Sequence, residues 1–322
     1  MRALRGWIVV SVIAVLVSAF ASAALNPYQQ QILFYIAINI ILATSLNLVN
    51  GFCGQFSLGH AGFMAVGAYA SGLVSLHWQP FPMGGALEFF NYPIYAVIGG
   101  LTAAAAGFMV GMPSLRLRGD YLAIGTLGFG EIIRVLLLNM DIVGGARGLS
   151  GIPGTTGFVA CFRAFFWAGA TFLLLWRLVH SSYGRAFLSV REDEIASECM
   201  GINTTRVKVA AFLISSFFAG VAGSLFAHTT NFLIPASFQF VKSVDVVIMV
   251  VLGGMGSLSG SVVGAILVTV LPEALRPLQE WTQVDLRMVI YSLILILLMI
   301  WRPTGLFGAR EWNQIWGRRR AT

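Results

Sequence analysis

Charged residues are scarce in this sequence. The 322 residues include 20 lysines or arginines and 13 aspartates or glutamates, which together make up 10% of the chain. Soluble globular proteins contain about 25% charged residues. Hydrophobic residues make up 57% of the chain, and the mean hydropathy is +0.82. This balance excludes a large water-soluble domain and predicts an all-α polytopic membrane protein.

Motifs of nucleotide, metal and hydrolytic sites are also missing. The sequence has neither a G-x-x-x-x-G-K-[ST] phosphate loop nor a G-x-G-x-x-G fingerprint. Its three cysteines have no C-x-x-C spacing and its four histidines no H-E-x-x-H spacing. We therefore expect packing roles for the cysteines, no catalytic residue, no metal site, no cofactor bound by this chain and no enzymatic activity.

Long apolar runs dominate the sequence, and a membrane-spanning helix needs about 20 residues. The run 245–272 is too long for one straight helix and is interrupted by glycines, so we read it as two short helices that meet at Gly253 and Gly254. With the eight other runs, about ten transmembrane helices are predicted. The eight runs are 6–25, 31–49, 57–77, 93–113, 120–138, 162–179, 209–229 and 286–301.

The positive charges predict the topology. With ten crossings, 14 of the 20 lysines and arginines fall on the side of both termini, five fall opposite and one lies within a span. Cytoplasmic loops are enriched in lysine and arginine, so both termini are predicted to be cytoplasmic, with 309–322 as a basic cytoplasmic tail. The net charge of +7 then reflects topology in a lipid bilayer, and we expect no nucleic-acid partner.

The N-terminus resembles a cleavable signal peptide, because Arg2 and Arg5 precede an apolar run and the small tripeptide 21–23. The apolar stretch nevertheless continues through Leu25, which is long enough to span a membrane. Keeping it also gives the even number of crossings that the charge distribution requires. We expect it to be retained as the first helix.

Glycine and other small residues predict how the helices pack and where they break. They recur at four-residue spacing in three series, as on the packing faces of membrane helices. A shift of 202 residues aligns two glycine-rich segments, which predicts two weakly related halves in a single transmembrane domain, 1–322. The series are 99–111, 211–227 and 256–264. The predicted helix breaks are at Gly51, Gly54, Gly253, Gly254 and Gly256.

Two charged residues, Glu131 and Arg134, lie three apart within the fifth predicted span. One interpretation is an i, i+3 ion pair that neutralises itself near the membrane interface. The other is a gate or wall of a substrate pathway, because charges inside the membrane are candidates for function. The sequence leaves both open.

The longest predicted cytoplasmic segment is 181–208. Its centre predicts a short amphipathic helix with an apolar face formed by Phe187, Val190, Ile195 and Met200, ending at Gly201. Helices that lie on a membrane favour a basic polar face, whereas this one is acidic at its centre. We therefore interpret the segment as a docking site for a cytoplasmic partner.

Six segments in fixed order make the chain resemble the LivM-type permease subunit of branched-chain amino acid ABC importers. Each glycine-rich piece alone is weak evidence, but the set covers nearly the whole chain. The segments are 47–69 (NLVNGFCGQFSLGHAGFMAVGAY), 117–134 (LRGDYLAIGTLGFGEIIR), 148–153 (GLSGIP), 183–203 (YGRAFLSVREDEIASECMGIN), 251–260 (VLGGMGSLSG) and 302–308 (RPTGLFG).

The resemblance implies a multi-pass subunit of the bacterial inner membrane. Its implied partners are a second, LivH-type permease, two cytoplasmic ATPase subunits and a periplasmic substrate-binding protein. In such importers the segment matching 181–208 contains a coupling helix that docks into the ATPase. The residues expected to dock are Arg191, Glu192, Asp193, Glu194, Ala196 and Gly201.

The substrate pathway is expected at the interface between the two permeases, near the broken helices. Gln55, Ser57 and His60 are candidates for its polar wall, although Ser57 and His60 could equally hydrogen-bond a neighbouring helix. Glu131 and Arg134 are further candidates. Two other functions remain open: a permease for urea or short-chain amides, whose subunits look similar, and a self-sufficient secondary transporter, which would normally carry unpaired membrane carboxylates.

Overall fold

The computed structural model describes residues 2–80, 90–114, 117, 119–154, 157–276, 287–302, 304–308 and 311. The predicted basic tail 309–322 lies outside these residues except for residue 311. A two-residue ladder pairs β1 (Leu149–Ser150) antiparallel with β2 (Phe232–Leu233). The helices are α1 (Arg2–Ala24), α2 (Pro27–Asn47), α3 (His60–His77), α4 (Asn91–Ser114), α5 (Asp120–Asn139), α6 (Gly157–Val179), α7 (Ser182–Glu192), α8 (Glu194–Cys199), α9 (Thr204–Thr230), α10 (Phe240–Gly253), α11 (Leu258–Ala274) and α12 (Arg287–Trp301).

Each predicted span coincides with one of these helices, namely α1 to α6 and α9 to α12. Within the described residues, seven helical stretches are long and apolar enough to cross a membrane. Leu258–Ala274 and Ser292–Trp301 are shorter apolar helices. The prediction of an all-α polytopic membrane protein is confirmed, and so is the division of 245–272 into two helices.

Small residues let the central helices approach closely, as their spacing predicts. A Cβ atom on Gly107 of α4 would lie 2.0 Å from Ser216 Oγ of α9. On another side of α9, a Cβ atom on Gly223 would lie 2.0 Å from the carbonyl oxygen of Met64 in α3. In the third series, a Cβ atom on Gly264 of α11 would lie 2.1 Å from a carbonyl oxygen of α10. All three series therefore lie at helix contacts.

Helix α1 lies at the periphery of the bundle. It packs along α6, where a Cβ atom on Gly169 would lie 2.7 Å from Val10 Cγ1. Its opposite side exposes large apolar side chains, including Ile8, Val12 and Leu16. A lipid-facing helix has this composition.

The cysteines differ from one another in exposure. Cys53 and Cys161 are buried, which agrees with the predicted packing role, but Cys199 at the end of α8 is exposed. The packing prediction is therefore wrong for Cys199, because α8 lies on the surface at one end of the bundle. Burial raises the pKa of the Cys53 thiol to about 12, so this side chain is an unreactive packing group.

Candidate functional site

The first break, residues 48–59, separates α2 from α3. Helix α2 continues into a π-helical turn, Leu48–Phe52, before the chain leaves the helix. Gly51 is required there, because a Cβ atom would lie 1.8 Å from Asn47 Oδ1 and 2.3 Å from the Gly256 nitrogen. Gly54 adopts a φ of +70°, in the region that favours glycine. Gly51 thus lies within the last helical turn, and Gly54 lies in the stretch without helix that follows it.

The second break, residues 254–257, separates α10 from α11. Gly254 and Gly256 have φ angles of +118° and +85°, which reverse the chain at little steric cost. Ser257 caps α11, and its Oγ accepts a hydrogen bond from the Gly260 nitrogen at 3.1 Å. Gly253 is thus the last residue of α10, and Gly254 and Gly256 lie in the turn between the two helices.

Asn47 joins the two breaks. Its Oδ1 accepts a hydrogen bond from the Gly256 nitrogen at 2.9 Å, and its Nδ2 donates to the Ser257 carbonyl oxygen at 2.8 Å and to Ser261 Oγ at 2.7 Å. Asn47 is fully buried, so these bonds form in a place without competing water. The sequence did not single out Asn47, because its partners are more than 200 positions away.

The chain near its C-terminus closes over the second break. Leu306 N donates to the Leu252 carbonyl oxygen at 2.8 Å, and Phe307 N donates to that of Gly253 at 3.1 Å. The buried Glu311 carboxylate accepts from the Leu258 nitrogen at 2.8 Å and from the Ser259 nitrogen at 3.2 Å. A carboxylate at the first turn of α11 satisfies free backbone N–H groups and complements the helix dipole.

Arg191, at the end of α7, reaches the same place. Its Nη1 donates to the Gly51 carbonyl oxygen at 2.9 Å and lies 2.8 Å from the position of a Cβ atom on Gly256. Helix α7 packs against the bundle through the buried side chains of Phe187 and Val190. We call the group formed by Asn47, Gly51, Gly256 and Arg191 the junction. Arg191, one of the predicted docking residues, therefore points into the bundle.

The predicted single amphipathic helix is two helices, which corrects the sequence interpretation. Asp193 has an extended backbone, with φ −156° and ψ 115°, and its side chain accepts hydrogen bonds from the Ile195 and Ala196 nitrogens at 2.9 and 3.0 Å. An aspartate in this role begins a new helix. The break shifts the helical phase, so Ile195 and Met200 are 67% and 82% exposed instead of buried.

Helix α8 is fixed to the bundle by an ion pair. Lys208 Nζ of α9 lies 2.6 Å from Glu194 Oε1, and the lysine side chain is only 4% exposed. Gly201, at a φ of +82°, ends the helical segment as predicted, and its N–H bonds the Glu198 carbonyl oxygen at 2.9 Å. Of the other predicted docking residues, Glu192, Asp193, Ala196 and Gly201 are exposed and Glu194 is half-buried.

The three candidates for the polar wall of a pathway lie at or beside the first break. The Ser57 nitrogen donates to Asn50 Oδ1 at 3.1 Å, and His60 Nε2 lies 3.0 Å from Ser45 Oγ. Both Ser57 and His60 are buried, whereas Gln55 is half-buried. The bond between His60 and Ser45 joins α3 to α2, whereas the Ser57 bond is made by its backbone within the first break. A pathway role for Gln55, Ser57 and His60 stays a prediction.

Glu131 and Arg134 form the predicted ion pair, with Arg134 Nε 2.6 Å from Glu131 Oε2. Glu131 Oε1 also accepts a hydrogen bond from the Phe240 nitrogen at 3.1 Å, which ties α5 to the start of α10. The pair is therefore self-neutralising and also stabilises a helix N-terminus. Its role in a pathway stays a prediction.

One polar group inside the bundle was misjudged from the sequence. The charge count treats Lys242 as a loop residue, but it lies in the first turn of α10, where its Nζ donates to Asn39 Oδ1 at 3.1 Å. Asn39 Nδ2 in turn donates to Thr269 Oγ1 of α11 at 2.8 Å. These bonds connect α2, α10 and α11 at positions away from the two breaks.

The family of the branched-chain amino acid transport system permease component matches residues 28–299. The permease protein LivM of Salmonella typhimurium, from a high-affinity branched-chain amino acid transport system, is 40% identical over 301 residues, 84% of this chain and 67% of the relative. A probable LivM of Methanocaldococcus jannaschii is 26% identical, covering 85% of this chain and 92% of the relative. The permease LivH of Salmonella typhimurium is 30% identical over 49% of this chain and 51% of the relative. The chain matches no solved structure.

Proposed function

Because the chain belongs to the family of branched-chain amino acid transport permeases, we propose that it is the LivM-type permease subunit of an ATP-driven ABC importer. It carries leucine, isoleucine or valine across the membrane and forms half of the translocation pathway. ATP hydrolysis takes place on separate ATPase subunits, so this chain is a transport subunit and not an enzyme.

The rest of the assembly follows from the same proposal. The chain pairs with a LivH-type permease, two cytoplasmic ATPases and a periplasmic substrate-binding protein in the bacterial inner membrane. Ten crossings with both termini in the cytoplasm place α7, α8 and the junction on the ATPase side. The positive charge bias of the sequence supports this orientation.

The observation that carries the coupling role is the contrast between the two sides of α8. Its inner side is fixed by Glu194 and Lys208, 2.6 Å apart. Its outer side presents Ile195 and Met200, which are largely exposed. Large apolar side chains on an otherwise polar, charged segment are typical of a surface that a partner protein covers.

The contacts of α7 and α8 define how movement reaches the bundle. A shift of α8 on the ATPase moves Lys208 at the start of α9 and Arg191 at the junction together. Arg191 contacts both helix breaks, where glycines give the backbone its freedom. The ATPases drive alternating access because ATP binds the two states of the complex with different affinity.

Co-purification tests the docking surface. In the complete importer, Ile195→Asp with Met200→Asp should abolish recovery of the ATPase with this chain, because both charges would have to be buried at the contact. The matched control is Ile142→Asp, since Ile142 is equally exposed in the loop between α5 and α6, at the other end of the bundle. Equal loss of the ATPase in the control would contradict the docking role of α8.

Residues of the acidic run are less suited to this test. Asp193 caps α8 and Glu194 pairs with a buried lysine, so charge reversal there also disrupts the segment itself. Glu192 is 72% exposed, but its Oε1 lies 3.3 Å from Arg191 Nη2, so its reversal to lysine also removes the ion-pair partner of the junction arginine.

Uptake into proteoliposomes tests the substrate. The complete importer, with the binding protein outside and ATP inside, should accumulate leucine and not urea. Accumulation of urea or of a short amide would replace the proposed substrate class. Accumulation by this chain alone, without ATP, would replace the importer with a secondary transporter.

A further inference from the structure

The ion pair between Glu131 and Arg134 lies deep within α5 and is not fully covered. Glu131 follows Asp120 by eleven residues, which places it about 16 Å along the helix at 1.5 Å per residue. The helix has 20 residues, so this position is near its middle. The side chains of Glu131 and Arg134 are 33% and 25% exposed. Charged groups at such depth are unfavourable when they face lipid.

The exposed faces of α1 and α5 differ in whether they carry charged side chains. Helix α1 exposes a continuous series of apolar side chains without any charge between residues 8 and 20, as a lipid-facing helix does. Helix α5 exposes Tyr121, Ile124, Ile132 and Val135 on the side that also carries the ion pair. The face of α5 therefore needs a covering that lipid does not provide.

Gly128 on this face leaves room for another helix. Among the described residues, a Cβ atom on Gly128 would meet nothing within 4 Å, whereas one on Gly125 would lie 3.1 Å from Leu117 Cδ1. Gly128 lies between the exposed Ile124 and Ile132, and because it has no side chain it leaves a shallow groove between them on α5. Shallow grooves at small residues are where membrane helices approach closely. The groove and the ion pair are independent observations that point to the same occupant, a protein helix with polar groups.

We propose that this face of α5, formed by Tyr121, Ile124, Gly128, Ile132 and the ion pair, is the contact for the second permease subunit. The inference rests on the proposed function, which supplies such a subunit. A second permease fits better than a second copy of this chain, because the relatives include two differently named permeases of high-affinity branched-chain amino acid transport systems.

Site-specific photo-crosslinking in the complete importer tests this contact. The photoreactive p-benzoylphenylalanine replaces Ile124 in one variant and Leu16 of α1 in the control, two positions that are 64% and 63% exposed. Irradiation should join the second permease to the Ile124 variant and not to the Leu16 variant. Crosslinking from Leu16 to the second permease, or from Ile124 to a second copy of this chain, would overturn the proposal. So would an Ile124 variant that captures only lipid.

Filling the groove gives a second test. Gly128→Trp occupies open space in this chain and should lower the amount of co-purified second permease at least tenfold. Ala19→Trp, on the exposed side of α1, should leave that amount unchanged. Unchanged recovery with Gly128→Trp would contradict the contact. Failure of the proposed function is distinguishable, because the unsubstituted chain would then recover no second permease at all.

Discussion

The two glycine breaks share the spacing Gly-x-x-Gly-x-x-Ser but are held by different parts of the molecule. The first break contains a π-helical turn followed by a stretch without helix, in which Gly54 is exposed. The Gly51 carbonyl oxygen in this break accepts a hydrogen bond from Arg191, at the end of α7. The second break is a four-residue turn that is covered by residues 305–308 and capped by Ser257 and Glu311.

The difference assigns distinct roles to similar sequences. The second break has fixed ends and satisfied backbone groups, so it serves as an anchor for α10 and α11. The first break is longer, and its Gly51 carbonyl oxygen accepts a hydrogen bond from Arg191 of α7, so we infer that movement of α7 and α8 enters the bundle there. Asn47 connects the two breaks. Replacement of Asn47 should therefore affect both breaks, whereas replacements of Asn50, Glu311 and Arg191 test the individual breaks.

Asn47→Leu should have the largest effect on stability. It leaves the buried Gly256 nitrogen without its hydrogen-bond partner and removes one of several partners of the Ser257 carbonyl and of Ser261. At 1–3 kcal/mol for an unsatisfied buried group, the loss is about 2 kcal/mol. Titration with SDS in mixed micelles, followed by circular dichroism, measures it. Both breaks should loosen together, because both depend on this residue.

Asn50→Leu is the matched control for Asn47→Leu. Asn50 lies on the π-helical turn that follows Asn47 and is also buried, but it accepts one hydrogen bond, from the Ser57 nitrogen, and its Nδ2 has no partner among the described residues. Its replacement should cost about 1 kcal/mol. If the two variants unfold at the same SDS concentration, the link between the breaks contributes nothing beyond the first break itself.

Glu311→Gln should have an intermediate effect that is confined to the second break. It removes a charge that accepts two backbone N–H groups at the start of α11 and should cost about 1 kcal/mol. Glu273→Gln, near the other end of the same helix, should be close to neutral: a negative charge there opposes the helix dipole, and the glutamine Oε1 still accepts the hydrogen bond of the Tyr28 hydroxyl. Hydrogen exchange of α11 measures both, and faster exchange around residues 51–54 in Glu311→Gln would argue against separate roles.

The positions of the breaks could be predicted from the sequence, but their partners could not. Glycines within an apolar run are a local pattern, and φ values of +70°, +118° and +85° at Gly54, Gly254 and Gly256 agree with it. Asn47 gives no local pattern, because its hydrogen bonds reach residues 256, 257 and 261. Such contacts depend on how the helices assemble.

Helices α7 and α8 show a second limit of prediction from the sequence. Helical periodicity from Phe187 to Met200 assumes one continuous helix, and Asp193 interrupts it. The residues before the interruption were placed correctly, since Phe187 and Val190 are buried. After it the phase is lost, and Ile195 and Met200 are exposed. An aspartate that can cap a new helix was the available signal.

Arg191→Met should have the smallest effect on stability, and the effect should be greater on the first break, where Arg191 donates a hydrogen bond, than on the second, which it only touches at Gly256. Arg191 is about one third exposed, so loss of its hydrogen bond to Gly51 should cost about 1 kcal/mol or less. The ATPase should still co-purify, because Ile195 and Met200 are unchanged. Leucine transported per ATP hydrolysed should nevertheless fall, since the contact from α7 to the first break is gone. Arg185→Met is the control, because that exposed guanidinium donates to Ser182 within α7. If both variants transport as much leucine per ATP hydrolysed as the unsubstituted importer, the contact between Arg191 and the first break does not transmit movement. Movement of α8 must then enter the bundle through Lys208 and α9.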